Sequence, residues 1–258
     1  MGVIVGLLAA IMAPFRSSAA SESKAPERNP ALDTAIKSIP FEHFEVAGSE
    51  AMSTWTRLRH EGRGWPVVIG DDESLTILAD HITLMGPKDP KDILAAASRL
   101  QHPNSLHALK QADASEAGYQ PEVGDWPETP PPETGLALAY DFKGNPLPRV
   151  HILLIPVKDG SDVPAYLSWG GWNECPSAEY HVAALRSWAR RYGAELVGLG
   201  YDTMIVRVNN KPPTREAGLD LAREHFLYCE DIVLQGTETL APLAAALRSS
   251  DWWFFWWD

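Results

Sequence analysis

The densest run of chemistry-bearing residues is Trp169-Gly170-Gly171-Trp172-Asn173-Glu174-Cys175-Pro176, read as a passage from a strand into a helix. Pro176 fits a first helical turn and sets Cys175 at or beside the N-cap, where the positive helix end favours thiolate. Six residues on, His181 shares an apolar stripe with Leu185, Trp188 and Tyr192 and points inward. These residues predict a catalytic set with Cys175 as nucleophile, His181 as base, and Asn173 or the loop amides as oxyanion donors. The spacing carries its own difficulty, because a residue six positions beyond an N-cap lies more than one turn along. The same residue types also make a buried cysteine beside a hydrogen-bonded core histidine, and structural cysteines outnumber reactive ones.

His225 and Cys229 lie four apart on one predicted helix and share a face. With Cys175 and His181 they form an alternative Cys2His2 zinc set, but no pair has the close CxxC spacing of a zinc knuckle. No metal or cofactor is therefore expected. Asp71-Asp72-Glu73 offer oxygens to a divalent cation, although balancing the start of a helix explains them more simply. The chain has no phosphate loop, no GxSxG and no HExxH, and Gly170-Gly171 lacks the third glycine of a dinucleotide loop. Of ten tryptophans, seven fall from Trp169 onward, enough for a stacking platform or an aromatic core. Trp169, Trp172, Glu195, Glu224 and Asp231 are the candidate ligand-binding residues.

The elements that must position these groups follow a βαβα rhythm. Apolar spacing predicts helices over Ser49–His60, from Asp71 through Leu84, and over Asp89–Leu100, Ser177–Tyr192, Thr214–Tyr228 and Thr239–Leu247. Strands are predicted at Phe41–Val46, Trp65–Ile69, Val150–Val157 and Val163–Trp169, with a hairpin of Glu195–Leu199 and Met204–Val208. Trp252–Trp257 has aromatics at both parities and reads as a strand buried on both faces. The expected fold is α+β, a mixed β-sheet with packed helices and the C-terminal aromatic strand buried in it. Four stretches are expected: an apolar run and flexible lead-in (1–40), an α/β region (41–112), an acidic Pro-rich linker or loop (113–135) and a C-terminal α+β domain (136–258). The third is marked by six acidic residues, five prolines and no Lys or Arg between Asp113 and Glu133.

Acidic residues outnumber basic ones 34 to 22 over 258 residues, a formal charge of -12 that repels phosphate backbones and anionic lipid. Nucleic acid is excluded as the expected partner, and a protein partner is favoured. Two cysteines cannot make a disulfide scaffold in a chain of this length. Met1–Phe15 is apolar and is followed by Arg16 and small residues, as in a signal peptide, yet no Lys or Arg precedes it. Membrane association is expected only through residues 1–15. A cytoplasmic location is favoured over export or N-terminal anchoring. The leading functional reading is a noncatalytic binding or immunity-type interaction module; the alternatives are the Cys175/His181 enzyme and a small zinc-binding domain.

The C-terminal half carries a series: Pro164-Ala165-Tyr166-Leu167, Gly170-Gly171-Trp172-Asn173 with Cys175-Pro176, Trp188, and Tyr192-Gly193-Ala194-Glu195. It continues with Pro212-Pro213, Ala222 and Glu224, Tyr228-Cys229, Asp231-Ile232-Val233, Gln235-Gly236 and Trp256-Trp257-Asp258. From about Pro148 to Asp258 the chain resembles the bacterial domain of unknown function family 4253. The resemblance implies an α+β domain, usually cytosolic, and transfers no reaction. It places Asn173, Cys175, Glu195, Glu224, Cys229 and Asp231 in the family's pattern and asks for no histidine at His225.

Overall fold

Six short runs, four of them rich in β-branched or aromatic residues, pair into one mixed sheet: β1 (Glu42–Val46), β2 (Trp65–Gly70), β3 (Val150–Ile155), β4 (Glu195–Leu199), β5 (Thr203–Arg207) and β6 (Trp252–Trp256). This computed structural model describes residues 30–86, 88–112 and 121–258. The apolar run and most of the lead-in, together with residues 113–120 of the acidic stretch, lie outside the described residues. The strand order is β1-β3-β2-β4-β5-β6, with β2 and β4 parallel and every other neighbour antiparallel. β2 and β3 are buried along their whole length, as central strands covered on both faces must be. The fold is α+β.

The helices are α1 (Pro30–Ser38), α2 (Gly48–Glu61), α3 (Asp72–Met85), α4 (Pro90–Ala97), α5 (Asn104–Ala112), α6 (Val163–Leu167), α7 (Ala178–Tyr192), α8 (Arg215–Tyr228) and α9 (Leu240–Ser249). Local chemistry explains several of their ends. Asp71 caps α3 by accepting from the Ser74 N–H, Asp89 precedes Pro90 at the start of α4, and Gly193 closes α7 in the left-handed region. α1 corrects the expectation of a flexible lead-in up to residue 40. Leu32, Ala35 and Ile39 recur at helical spacing and are buried. Val163–Trp169 is also corrected, since α6 stands where a strand was expected. Pro164 has no N–H to give a ladder but fits the first turn of a short helix, which Ser168 ends at φ 48°.

The aromatic strand β6 pairs with β5 from Trp252↔Arg207 to Trp256↔Thr203. It is an edge strand and its burial alternates: Trp253 and Phe255 are buried, whereas Trp252, Phe254 and Trp256 are half-buried. The two-sided burial expected from composition therefore holds for one face. The sheet draws β1 and β2 from before the acidic stretch and β3–β6 from after it, and one hydrophobic cluster runs from Leu32 to Trp257. The described part of the acidic stretch, 121–135, is held along α9, and its Trp126 packs half-buried against the core. Glu122 and Val123 carbonyls accept from Leu240 and Ala241 N–H, and Glu133 accepts from Ser250 Oγ and the Asp251 N–H.

Candidate functional site

The loop between α6 and α7 folds back on itself because two glycines adopt left-handed backbone. Gly170 has φ +106°, and a Cβ there would stand 2.1 Å from the Pro176 carbonyl oxygen and 2.5 Å from His181 Nε2. The Gly171 N–H bridges the Cys175 and Pro176 carbonyls at 3.2 and 3.0 Å. This hairpin-like turn brings the loop's cysteine over the first turn of α7, and Cys175 Sγ lies 3.4 Å from His181 Nε2. The separation that the sequence spacing threatened is closed by the loop. The helix, however, begins at Ala178 with Ser177 as its cap, so Cys175 precedes the N-cap by two residues. Asn173 stands exposed at φ 45° on the turn rather than beside the thiol.

A consistent placement of protons runs through this chain of contacts. Cys175 S–H donates to His181 Nε2, His181 Nδ1–H donates to Tyr228 Oη at 2.5 Å, and Tyr228 O–H donates to Met204 Sδ at 3.5 Å. Burial favours the neutral form of every member. Desolvation pushes the Cys175 thiol far above its ordinary value, and the nearby Cys229 adds to the effect. The same cause pulls His181 down to about 3 and raises Tyr228. Trp169 packs against His181 at 4.7 Å between ring centroids and donates its indole N–H to the Gly200 carbonyl at 2.8 Å. Trp257 closes another side at 5.6 Å from His181. A thiolate–imidazolium pair would be two desolvated charges in an aromatic box, so the arrangement stores a neutral hydrogen bond.

The other two residues of the alternative zinc set turn elsewhere. Cys229 Sγ donates to the Trp256 carbonyl at 2.9 Å, with its thiol pushed up to about 12 by burial. The His225 ring is wedged among Trp188, Trp253 and Phe255 at 4.6–5.1 Å. Burial pulls its pKa down to about 3 against the pull of Glu224. The four ligand atoms do not gather within coordination distance of one another.

The candidate ligand-binding residues are likewise dispersed and engaged. Trp169 is fully buried; Trp172 is half-buried, edge-on to His81 at 4.5 Å. Glu195 on β4 pairs with Arg59 at 3.1 Å, whose guanidinium lies 3.6 Å over the Trp65 ring. Asp231 accepts from Gln235 Nε2 and from the Asp258 N–H, tying the π-helical turn Ile232–Thr237 to the end of β6. Glu224 accepts from Trp188 Nε1 at 2.6 Å, His102 Nε2 at 3.1 Å and both Arg191 Nη atoms at 2.8 and 2.7 Å. Burial opposes its ionisation, yet hydrogen bonds from His102 and Arg191 hold its carboxyl well below the usual range.

Sequence reasoning missed a surface cleft of about 500 Å³ at the far end of α8 and α9. Trp126, Pro127, Glu128 and Pro130 of the acidic stretch form one wall, and Arg215, Ala245, Arg248 and Ser249 form the other. Arg215 and Arg248 sit 4.7 and 5.8 Å from the Trp126 ring centroid. The lone tryptophan among prolines was the available signal, since an aromatic there has little use in a purely solvated linker.

The molecule is thus an α+β protein in which a helix-flanked sheet carries a sealed Cys–His–Tyr chain and an open Trp–Arg cleft. Residues 151–258 match the family described as Domain of unknown function (DUF4253), a span that begins inside β3 and runs through β6. No curated protein matches the chain. No solved structure matches it either.

Proposed function

We propose that this protein is a noncatalytic binding module of the immunity type, which recognises another protein through its Trp126 cleft. The observation that carries this reading is the burial of Cys175 and His181 against each other, closed off from solvent by aromatic rings. The one thiol–imidazole pair of the C-terminal region is spent on packing, while the accessible cleft holds an indole and two guanidiniums. Tryptophan and arginine are the side chains that most often anchor protein interfaces, because each combines large contact area with a polar handle. Two arginines in a chain of net charge -12 also favour an acidic or aromatic segment of a partner at this spot. A cytoplasmic setting fits the two free, buried cysteines. A cysteine enzyme remains the second reading, favoured by the 3.4 Å contact alone.

The test is affinity purification of the tagged full chain from its host, with the exposed Arg215→Glu and the Trp126→Ala variants alongside. A single stoichiometric partner that survives in wild type and is lost in both folded variants supports the module. Recovery of no such partner, together with turnover of a small molecule that stops in Cys175→Ser, overturns it.

A further inference from the structure

We infer that His43, Glu45 and His151 form a binding site for a divalent transition metal, backed by Asp72 and Arg149. Strand geometry assembles it. His43 and Glu45 are two apart on β1 and share a face, and the antiparallel register sets Glu45 opposite His151 on β3. The ligand atoms of these three side chains all lie within 4.8 Å of one another. Among the described residues they are the group of three or more His, Cys, Asp or Glu with that property. Two imidazoles and a carboxylate are the donor set of a site that keeps a fourth position open for water or ligand.

The surroundings have the form that metal-binding histidines need. His151 is fully buried, and its Nε2 lies 2.9 Å from Asp72 Oδ1, which fixes the ring and leaves Nδ1 facing His43 Nε2 at 2.8 Å. Asp72 is itself oriented by Arg149, whose Nε donates to Oδ1 at 2.6 Å and whose Nη2 pairs with Oδ2. A carboxylate hydrogen-bonded to the remote nitrogen of a ligating histidine raises its basicity and sets its tautomer. With the Nε2 proton of His151 directed at Asp72, the contact between Nδ1 and His43 Nε2 holds one proton. Replacing it with a tetrahedral ion at about 2.0–2.1 Å from each nitrogen requires them to part to roughly 3.3 Å, a small rotation of the half-buried His43. His43 and Glu45, both half-buried, border solvent and give the ion its route in. Softness and number of donors fit Zn2+ or Co2+ and not Mg2+ or Ca2+.

The experiment uses the full chain, stripped with chelator and loaded with Co2+ or Zn2+. One equivalent should remain after gel filtration, with cobalt showing the visible absorption of a four-coordinate nitrogen and oxygen site. His43→Ala and Glu45→Gln should each lose that equivalent while far-ultraviolet circular dichroism stays unchanged. Asp72→Asn, which removes only the positioning carboxylate, should weaken binding by about 10–100-fold. Failure of the wild type to retain metal overturns the site. So does retention by both ligand variants, or a thiolate-to-cobalt charge-transfer band, which would locate the ion on cysteine instead. None of these outcomes depends on whether the Trp126 cleft binds a partner.

Discussion

Replacing Glu224 with glutamine separates a structural carboxylate from a ligand-binding one. The carboxylate joins three elements: His102 ahead of α5, Trp188 and Arg191 on α7, and α8 itself. Glutamine keeps the shape but offers one acceptor oxygen and turns its NH2 toward donors. The Trp188 indole N–H or one arm of Arg191 is then left facing another donor. The Glu224 side chain is 9% exposed and Arg191 is 37% exposed, so water softens the loss on the arginine side and little elsewhere. Breaking one partner of such a buried network costs about 3–5 kcal/mol. Against a total of about 5–15 kcal/mol, that is a large share of the fold's stability. At about 2–4 °C per kcal/mol for a chain of this size, Glu224→Gln should lower Tm by roughly 6–20 °C.

Urea unfolding followed by tryptophan fluorescence measures the loss, and its pH dependence gives a second check. The Glu224 carboxyl titrates below its ordinary 4.5 in the folded protein. Its contribution is therefore complete above that value and is lost as pH falls through the folded one. The gap between wild type and variant should be widest near neutrality and narrow steadily below about pH 4.5. A cost below about 1 kcal/mol, or a gap that stays constant into acid, would refute the network reading and return Glu224 to the pool of ligand residues.

Cys175 in the folded protein should resist iodoacetamide at neutral pH and react only on unfolding, followed by mass spectrometry. Rapid native alkylation with an apparent pKa below ~8.5 would show a thiolate that the sealed chain forbids. Gly170→Ala should destabilise by about 2–4 kcal/mol, since it adds both strain at positive φ and a collision with the Pro176 carbonyl. Gly62→Ala, at φ +67° with nothing within 4 Å of its Cβ, should cost only about 1 kcal/mol in the same thermal melts.

Period and capping made most elements legible in the sequence. α2, α3, α7 and α8 fall within two residues of expectation because their periodic faces are long and several have a defined end, such as Asp71 or Thr214, and the β4–β5 hairpin does so because short apolar runs flank a turn. At α6 the apolarity of Val163–Trp169 suggests a strand, whereas Pro164 forbids a ladder and fits a helical first turn. Pairing of Cys175 with His181 was legible as chemistry but not as state. Residue types announce a thiol and an imidazole, whereas their neutrality comes from Trp169, Tyr228 and Trp257, which arrive from other parts of the chain. His43 and Glu45 gave no signal at all, since their partner lies more than 100 residues away and only the β1–β3 register joins them. Asp72, whose residue type suggests a cation ligand or a helix-start charge, is held by His151 and Arg149 in the fold.

Strand order bears on what the family match means. The matched span, 151–258, supplies β3, β4, β5 and β6, but β3 and β4 are not neighbours in the sheet. β2, from residues 65–70, lies between them, pairing antiparallel with β3 and parallel with β4. Trp65 at its start donates its indole N–H to the Leu196 carbonyl at 2.8 Å, and its ring fills the space where Gly160 has no Cβ. Without β2, the unpaired edges of β3 and β4 would face each other across a missing strand, with buried backbone groups unsatisfied on both. The sheet of this protein is therefore completed from outside the matched span, by the same N-terminal region that brings His43, Glu45 and Asp72 to His151. Completion of the sheet and assembly of the proposed metal site are two consequences of one insertion, with β2 filling the gap and β1 closing the edge beyond it.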